Sequence, residues 1–307
     1  MWKPLVIGCL LIGIALPAWA QDPQPPAQET AAEQNQNYPR PELLIDVAEL
    51  AGALQRDPAA SRFRHDAQEI VLLDARPQEE YRRGHLAGAL GVDVDEWKKA
   101  FGEGTDQLGW AKRIGDLGID GKLSVVVYDE ALTGNAARVW WILRYWGVEK
   151  VSLLNGGMKA WHAESYPTLT ATFTAEPKPF EPRARGDRLV THKELVKILS
   201  DGDPFKLFDT RTANEHQEGK IATCTHLDWQ DLVDQETGKM LPVAELKKLL
   251  EEAGFDSERP TVTYCQSGGR ASVMAFALEL MGGKQVANYY GSWQEWSRLE
   301  MPKSVDN

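Results

Sequence analysis

The stretch Pro260–Arg270, with the sequence PTVTYCQSGGR, decides the fold of this chain. Its first five residues are of extended type, since β-branched and aromatic side chains favour strands. They lead into a cysteine and a short loop that contains Gly268 and Gly269 and closes at Arg270, and a helix-compatible run, Ala271–Met281, follows. Glycine permits the tight backbone turn that such a loop needs. The stretch therefore predicts a strand, a loop and a helix, with one thiol at the mouth of the helix.

A second copy of this unit occurs earlier in the chain without the thiol. Ser124–Tyr128 is again of extended type, and it is followed by Asp129, a loop with Gly134 and a helical run that ends near Tyr145. The period is much longer than that of solenoid repeats, so the pattern indicates a duplicated domain. In this alignment Asp129 takes the place of Cys265. We interpret Asp129 as an inert structural replacement, because a carboxylate there cannot act as a thiol nucleophile.

Further motifs occur in both copies and in the same order. The segments Asp46–Glu49 and Thr191–Glu194 have the spacing of a capping box and predict helix starts. The strands Ile70–Leu73 and Phe205–Phe208 follow them. Short strands that alternate with helices predict an α/β fold, in which each half is a parallel sheet flanked by helices. Three tryptophans at helical spacing are expected in the core or at an interface: Trp140, Trp141 and Trp146.

An Asp-x-Arg motif ends the predicted strands of both copies. Asp74 precedes Arg76 in the first copy, and Asp209 precedes Arg211 in the second. Because the copy without the thiol has the motif too, we expect ion pairs that lock the loops and not catalytic groups.

The N-terminal segment and the segment between the two copies differ in composition from the repeated domains. Lys3, the apolar run Leu5–Leu16 and the small residues of Ala18–Ala20 are typical of a signal peptide. A segment rich in Gln, Pro and Ala follows, and a second proline-rich, charged segment separates the two copies. We predict a signal peptide (1–20), a disordered linker (21–41), an inactive domain (42–170), an interdomain linker (171–187) and a catalytic domain (188–307).

The composition of the 307 residues limits the function classes. With 43% hydrophobic residues the chain has enough apolar side chains for ordinary cores. Its formal net charge of −11 argues against nucleic acid as a partner, because phosphate binding needs clustered Lys and Arg. No other apolar stretch is long enough to span a bilayer. We therefore expect an exported protein, periplasmic or secreted, that is a monomer without a membrane span after cleavage.

Three features of the cysteine loop favour a thiolate, which is the nucleophilic form of the side chain. The following helix points its positive end at the sulfur. Successive backbone N–H groups can form a nest that binds an anion, and Arg270 adds a positive charge. The candidate nucleophile is Cys265. The residues predicted to form the cradle for an anionic substrate are Gln266, Ser267, Gly268, Gly269 and Arg270.

The spacing within the loop favours one reaction over another. Cysteine-dependent phosphatases use Cys-x5-Arg, a loop wide enough for a tetrahedral phosphate. Here Cys265 and Arg270 are separated by four residues. The smaller cradle suits a thiolate that accepts a single sulfur atom and becomes a persulfide.

The chain resembles the tandem-domain rhodaneses, the thiosulfate or 3-mercaptopyruvate sulfurtransferases, of the exported bacterial type. The resemblance covers both copies, from about residue 41 to the end. It rests on these motifs: Leu72–Arg76, Gly84–Ala89, Val125–Asp129, Arg138–Trp141, Leu154–Gly157 and Gly291–Trp296.

The resemblance implies two tandem rhodanese-like domains, of which the first is inactive and the second catalytic, with the site near their interface. It also implies that Cys265 takes the outer sulfur of a small anionic donor and passes it to cyanide or a thiol. It implies no organic cofactor and no metal, and the six histidines show no ligand spacing.

The sequence also departs from the family. The loop Gln266–Arg270 matches neither the loop of animal thiosulfate enzymes nor that of mercaptopyruvate enzymes. Glu215 stands where the animal enzymes have a substrate-binding arginine, and residues 219–224 differ from the usual motif. The preferred donor is therefore open between thiosulfate and 3-mercaptopyruvate.

Two other functions remain as alternatives. One is a phosphatase-like or arsenate-reductase-like enzyme that uses the same thiolate, and the other is a non-catalytic module that binds a sulfur-carrier or redox partner. A structural disulfide is the alternative for Cys265, because Cys224 is the other cysteine left after cleavage. We interpret Cys224 as a small buried residue, and the hypothesis that it is a resolving thiol stays open.

Overall fold

The structure is a computed structural model, and it describes residues 37–55, 63–65, 68–202, 204–299 and 303–304. The predicted signal peptide and most of the predicted disordered linker lie outside these residues. The end of that linker differs from the prediction, because it is packed against the second domain. Tyr38 is buried and its hydroxyl donates to the carbonyl of Leu241, while the N–H of Arg40 donates to the carbonyl of Leu280.

The first domain is built on a six-stranded sheet with the order β1-β6-β5-β3-β2, and β4 pairs with β3 as well. All pairs are parallel except that of β2 with β3, which is antiparallel. The strands are β1 (Leu44–Ile45), β2 (Phe63–His65), β3 (Gln68–Asp74), β4 (Leu90–Gly91), β5 (Ser124–Tyr128) and β6 (Val151–Leu154).

The helices of the first domain lie between these strands in the chain. They are α1 (Val47–Gln55), α2 (Gln78–Arg83), α3 (Val94–Phe101), α4 (Gln107–Gly115), α5 (Gly134–Tyr145) and α6 (Gly157–Ala163). A short 3-10 helix, Pro41–Leu43, precedes β1, and another, Gly186–Arg188, opens the second domain.

The second domain has a four-stranded, fully parallel sheet with the order β11-β10-β7-β9, and a separate antiparallel pair, β8 with β12. The strands are β7 (Lys206–Asp209), β8 (Lys220–Ile221), β9 (Thr225–His226), β10 (Thr261–Tyr264), β11 (Val286–Asn288) and β12 (Lys303–Ser304). The helices are α7 (His192–Asp201), α8 (Ala213–Glu218), the 3-10 helix Trp229–Leu232, α9 (Val243–Glu252), α10 (Gly269–Leu280) and α11 (Ser292–Trp296).

These bounds confirm the predicted α/β fold with two copies of one arrangement. The order β6-β5-β3-β4 in the first sheet corresponds to β11-β10-β7-β9 in the second. The capping box at Thr191 and Glu194 is present at the start of α7. Ser124–Tyr128 is a strand with the predicted bounds. The predicted strand Ile70–Leu73 extends over Gln68–Asp74, and the predicted strand Phe205–Phe208 is shifted by one residue to Lys206–Asp209, so both strands include the aspartate of the Asp-x-Arg motif.

Helices α5 and α10 form the centre of the molecule, where the two domains meet. Every residue of α10 except Arg270 is buried, as expected for a helix that is apolar on all sides. One continuous hydrophobic cluster includes residues of both helices and of both sheets. Across the interface the ring of Trp140 meets that of Phe276 edge to face, with 5.1 Å between the centroids. Trp140 and the neighbouring tryptophans 141 and 146 are fully buried, which confirms their predicted place in the core.

Candidate functional site

The Cys265 thiol lies at the carboxyl end of β10 and in front of the N-terminus of α10. In open parallel sheets this edge is where ligands bind. The residue is only 1% exposed, and its Sγ accepts the backbone N–H of Ser267 at 3.4 Å and that of Gly268 at 3.1 Å. These bonds and the positive end of α10 favour the anionic form of the sulfur. Both Cys265 and Cys224 are free thiols, so the structure contains no disulfide between them.

The loop after Cys265 is held by backbone geometry that only glycine adopts without strain. Gly268 has φ +88°, and a Cβ placed on it would lie 2.8 Å from the ring of Tyr290. Its carbonyl accepts the hydroxyl of Ser272 at 2.8 Å and the side-chain amide of Asn288 at 3.1 Å. These contacts fix Gly268, the residue whose own N–H donates to the sulfur.

The first turn of α11 holds the backbone of Cys265. The hydroxyl of Ser292 accepts the N–H of Cys265 at 3.2 Å, and the N–H of Trp293 donates to the Cys265 carbonyl at 2.9 Å. Ser292 is buried with φ +55°, a left-handed conformation that is strained for a serine. Strained residues that persist in a well-packed setting cluster at functional sites. The turn therefore belongs to the machinery that positions the thiol.

Arg270 closes the loop but pairs with a carboxylate of its own domain. Its Nη1 lies 2.6 Å from Oε2 of Glu215 and its Nη2 lies 2.7 Å from Oε1, a two-point ion pair. The hydrogen bonds from Arg270 lower the pKa of Glu215 to about 2, with Thr212 contributing. Glu215 also completes a capping box with Thr212 at the start of α8. The pairing was not foreseen from the sequence, in which Glu215 appeared only as a departure from the family.

The Asp-x-Arg motifs form the buried ion pairs that were predicted. Arg76 Nη2 lies 2.6 Å from Asp74 Oδ2, and the same contact between Arg211 and Asp209 is also 2.6 Å. In both domains the arginine also donates to a glycine carbonyl eight residues further on, which ties the loop after the strand to the sheet.

Cys224 lies in a buried hydrogen-bond network on the other side of β10. The hydroxyl of Tyr264 is 3.3 Å from Cys224 Sγ and 2.8 Å from Asp209 Oδ2, which also accepts from His216 Nδ1 at 2.9 Å. Side chains alternate across a strand, so Tyr264 and Cys265 face opposite sides of the sheet. Burial raises the pKa of Cys224 to about 11, and the hydrogen bond from Tyr264 opposes this. The network holds Cys224 as a neutral thiol.

Asp209, His216 and Cys224 also have ligand-type atoms within 4.8 Å of one another, the one such group among the described residues. The carboxylate of Asp209 already accepts hydrogen bonds from Arg211, His216 and Tyr264. This network explains the grouping without a metal ion.

In the first domain, the carboxylate of Asp129 lies at the position that corresponds to the Cys265 thiol. Asp129 is 2% exposed and accepts the N–H groups of Thr133 at 2.9 Å and Ala136 at 2.8 Å, together with the Thr133 hydroxyl. Burial raises the pKa of Asp129, and these hydrogen bonds oppose the effect. The carboxylate thus occupies the N-terminus of α5, where the second domain presents a thiol to α10.

The two helix N-termini meet at the interface between the domains. A Cβ on Gly134 would lie 3.2 Å from the carbonyl carbon of Gly269 and 3.3 Å from the nitrogen of Arg270. One turn into α5, Arg138 reaches the same place, and its Nη1 donates to the hydroxyl of Tyr290 at 2.6 Å. The site is therefore built by both domains.

The six predicted site residues lie next to one another, but they contribute different groups to the site. Cys265 supplies the sulfur, and Ser267 and Gly268 supply its N–H donors. The side chain of Gln266 is exposed, and that of Arg270 is held by Glu215. Three contributors were missed in the sequence because they join the site only through tertiary packing: Arg138, Tyr290 and Ser292.

Among the described residues, no helix has the length and apolar composition needed to cross a bilayer.

Comparison with known proteins identifies the repeated domain. Residues 59–164 and 191–299 each match the model of the rhodanese-like domain. The chain is 28% identical over 245 residues to mouse thiosulfate sulfurtransferase, covering 74% of this chain and 82% of the relative. It is also 28% identical over 272 residues to mouse 3-mercaptopyruvate sulfurtransferase, covering 80% and 91%.

A solved structure shows the same fold. The crystal structure of SseA from Escherichia coli, described as a 3-mercaptopyruvate sulfotransferase with the rhodanese fold, superposes with a TM-score of 0.67. The match has 24% identity and covers 82% of this chain and 98% of SseA. It confirms the fold of two rhodanese domains.

Proposed function

Because the chain belongs to the rhodanese family, we propose that it is a sulfurtransferase that carries sulfur as a persulfide on Cys265. One observation carries the proposal: a single thiol lies at the N-terminus of α10 and accepts two loop N–H groups. The relatives named thiosulfate and 3-mercaptopyruvate sulfurtransferases support the same reaction class.

The reaction has two steps that pass through one covalent intermediate. The Cys265 thiolate attacks the outer sulfur of thiosulfate, the S–S bond of the donor breaks, and sulfite leaves with the electron pair. Cyanide or a thiolate then attacks the outer sulfur of the persulfide. Thiocyanate or a new persulfide leaves, and the Cys265 thiolate is restored. Ser267 and Gly268 hold the negative charge of the sulfur through their N–H groups in the resting enzyme.

The donor is proposed to be thiosulfate or 3-mercaptopyruvate, both small anions that a cradle of N–H groups can hold. We place the protein outside the cytoplasm, in the periplasm or secreted, on the strength of the N-terminal signal-peptide pattern, and propose that it acts as a monomer. Size-exclusion chromatography of the exported protein and sequencing of its N-terminus test these two points.

The function itself is tested by a sulfur-transfer assay. With thiosulfate as donor and cyanide as acceptor, the wild-type protein should form thiocyanate, and Cys265→Ser should form none. Cys224→Ser is the matched control and should keep the activity. Release of phosphate from an aryl phosphate, without sulfite from thiosulfate or pyruvate from 3-mercaptopyruvate, would instead establish the phosphatase-like alternative.

A further inference from the structure

Arg138 is a buried cation that comes from the non-catalytic domain. It lies on α5, is 6% exposed, and has its guanidinium carbon 5.2 Å from the ring centre of Tyr290, to whose hydroxyl it donates. No carboxylate of the described residues lies within ion-pair distance of it. Burial of a guanidinium without an anionic partner is strongly unfavourable. Packing alone therefore does not explain why the Arg138 guanidinium is buried here, and we looked for an anion that it stabilises.

The charge lies against the backbone that holds the sulfur. A Cβ placed on Gly269 would be 2.7 Å from Arg138 Nη2. The preceding residue, Gly268, donates its N–H to Cys265 Sγ and packs on Tyr290. Burial raises the pKa of Tyr290, Arg138 opposes this, and Cys265 adds to it, so the hydroxyl lies within electrostatic reach of both. The guanidinium and the phenol thus lie against the backbone of the loop that carries the thiol.

The other cation of the loop is compensated. Arg270 interacts with Cys265 through a side-chain hydrogen bond and through its charge, but its two-point ion pair with Glu215 offsets part of that charge. Asp228, whose carboxylate interacts with Arg270, adds negative charge on the same side. The charged and titratable groups around Cys265 are therefore Arg138 and Tyr290 on one side, and Arg270, Glu215 and Asp228 on the other. Of the two arginines, Arg270 has a carboxylate partner, whereas Arg138 has none among the described residues.

We propose that Arg138 of the first domain is a positioning residue whose charge adds to that of Arg270 and stabilises the sulfur anion of Cys265, both as thiolate and as persulfide. The persulfide part rests on the proposed function, whereas the thiolate part does not. The inference gives the catalytically inactive domain a direct role: its α5 carries the countercharge of a nucleophile in the other domain.

The test is the pH dependence of the alkylation of Cys265 by iodoacetamide, which needs no sulfur donor. In Arg138→Gln the alkylation rate of Cys265 near neutral pH should fall about tenfold, because the sulfur anion loses a countercharge. Arg138→Lys keeps the charge and should stay close to wild type. Arg144→Gln, which removes another α5 arginine that reaches the second domain through Glu279, is the matched control and should not shift the profile.

Thermal melting separates this role from a structural one. Arg138→Gln loses a buried charge that has no carboxylate partner but also the hydrogen bond to Tyr290, so its melting temperature should stay close to that of the wild type, whereas a purely structural role would lower it. If Arg138→Gln does not fold, Arg138→Met takes its place. An unshifted alkylation profile in a folded neutral variant, or a full shift in Arg138→Lys, would overturn the inference. Failure of sulfur transfer alone would overturn only the proposed function.

Discussion

Arg270 and Glu215 face each other across the mouth of the cysteine loop, with two N–O contacts of 2.6 and 2.7 Å. The arginine that the loop motif offers to an anionic substrate is thereby neutralised within the resting protein. Both side chains are partly exposed, at 24% and 31%, so water and substrate can compete for the pair. We therefore expect Glu215 to weaken the attraction of the loop for anionic substrates.

Glu215→Gln should make the loop more selective for anions. The substitution removes the negative charge but keeps the capping box with Thr212, because Gln also serves at that position. We expect the ratio of the Cys265 alkylation rates with anionic iodoacetate and neutral iodoacetamide to rise about three- to tenfold. Glu218→Gln, at the exposed end of the same helix, is the control. An unchanged ratio would mean that Arg270 does not face the reagent.

The same ion pair predicts an acid-dependent loss of stability. Glu215 has an ordinary pKa of 4.5 that falls to about 2 in the folded protein, mainly through Arg270. A lowered carboxyl pKa gives stability that is present above about pH 4.5 and is lost as the pH falls through about 2. Because the pair is partly exposed, we expect about 1 kcal/mol. The difference in unfolding free energy between wild type and Glu215→Gln, from urea denaturation, should shrink over this window.

Cys224 should take no part in sulfur transfer. Burial raises the pKa of its thiol to about 11, so it is neutral under ordinary assay conditions. Peptide mapping after iodoacetamide treatment at neutral pH should find the adduct on Cys265 alone. Cys224→Ala should release sulfur to cyanide at the wild-type rate. A Cys224–Cys265 disulfide after turnover would revive the resolving-thiol hypothesis.

Asp129 should be needed for stability and not for chemistry. Asp129→Ala leaves the N–H groups of Thr133 and Ala136 without their acceptor, which should cost about 2 kcal/mol of unfolding free energy. Asp93→Ala removes an exposed helix cap that accepts the N–H of Glu96 and should cost about 1 kcal/mol. Both variants should still load sulfur on Cys265. A folded Asp129→Ala protein without sulfur transfer would show that the first domain takes part through this residue.

Strands and helices that depend on short stretches of sequence were predicted well. Ser124–Tyr128 is a strand with the expected bounds because an unbroken β-branched run leaves few alternatives. The helix after Cys265 begins at Gly269, two residues before the predicted start, because the loop glycines are themselves its N-cap and first turn. The helical run that ends at Tyr145 was also placed correctly.

Contacts between segments that are far apart in the chain could not be predicted from the sequence patterns. Glu215 and Arg270 are 55 residues apart, and their pairing depends on how α8 approaches the loop. Arg138 was visible only as part of a family motif, because nothing in α5 alone shows which of its faces meets α10. The repeat predicted two domains, but not that Arg138 of the first domain packs against the cysteine loop of the second.

The most direct test of the central claim is the intact mass of the protein after incubation with thiosulfate or 3-mercaptopyruvate, followed by cyanide. The mass should rise by one sulfur atom, the added sulfur should map to the Cys265 peptide, and cyanide should remove it. Cys265→Ser should show no gain. A wild-type protein that gains no sulfur from either donor, or that gains it on another residue, would contradict the account.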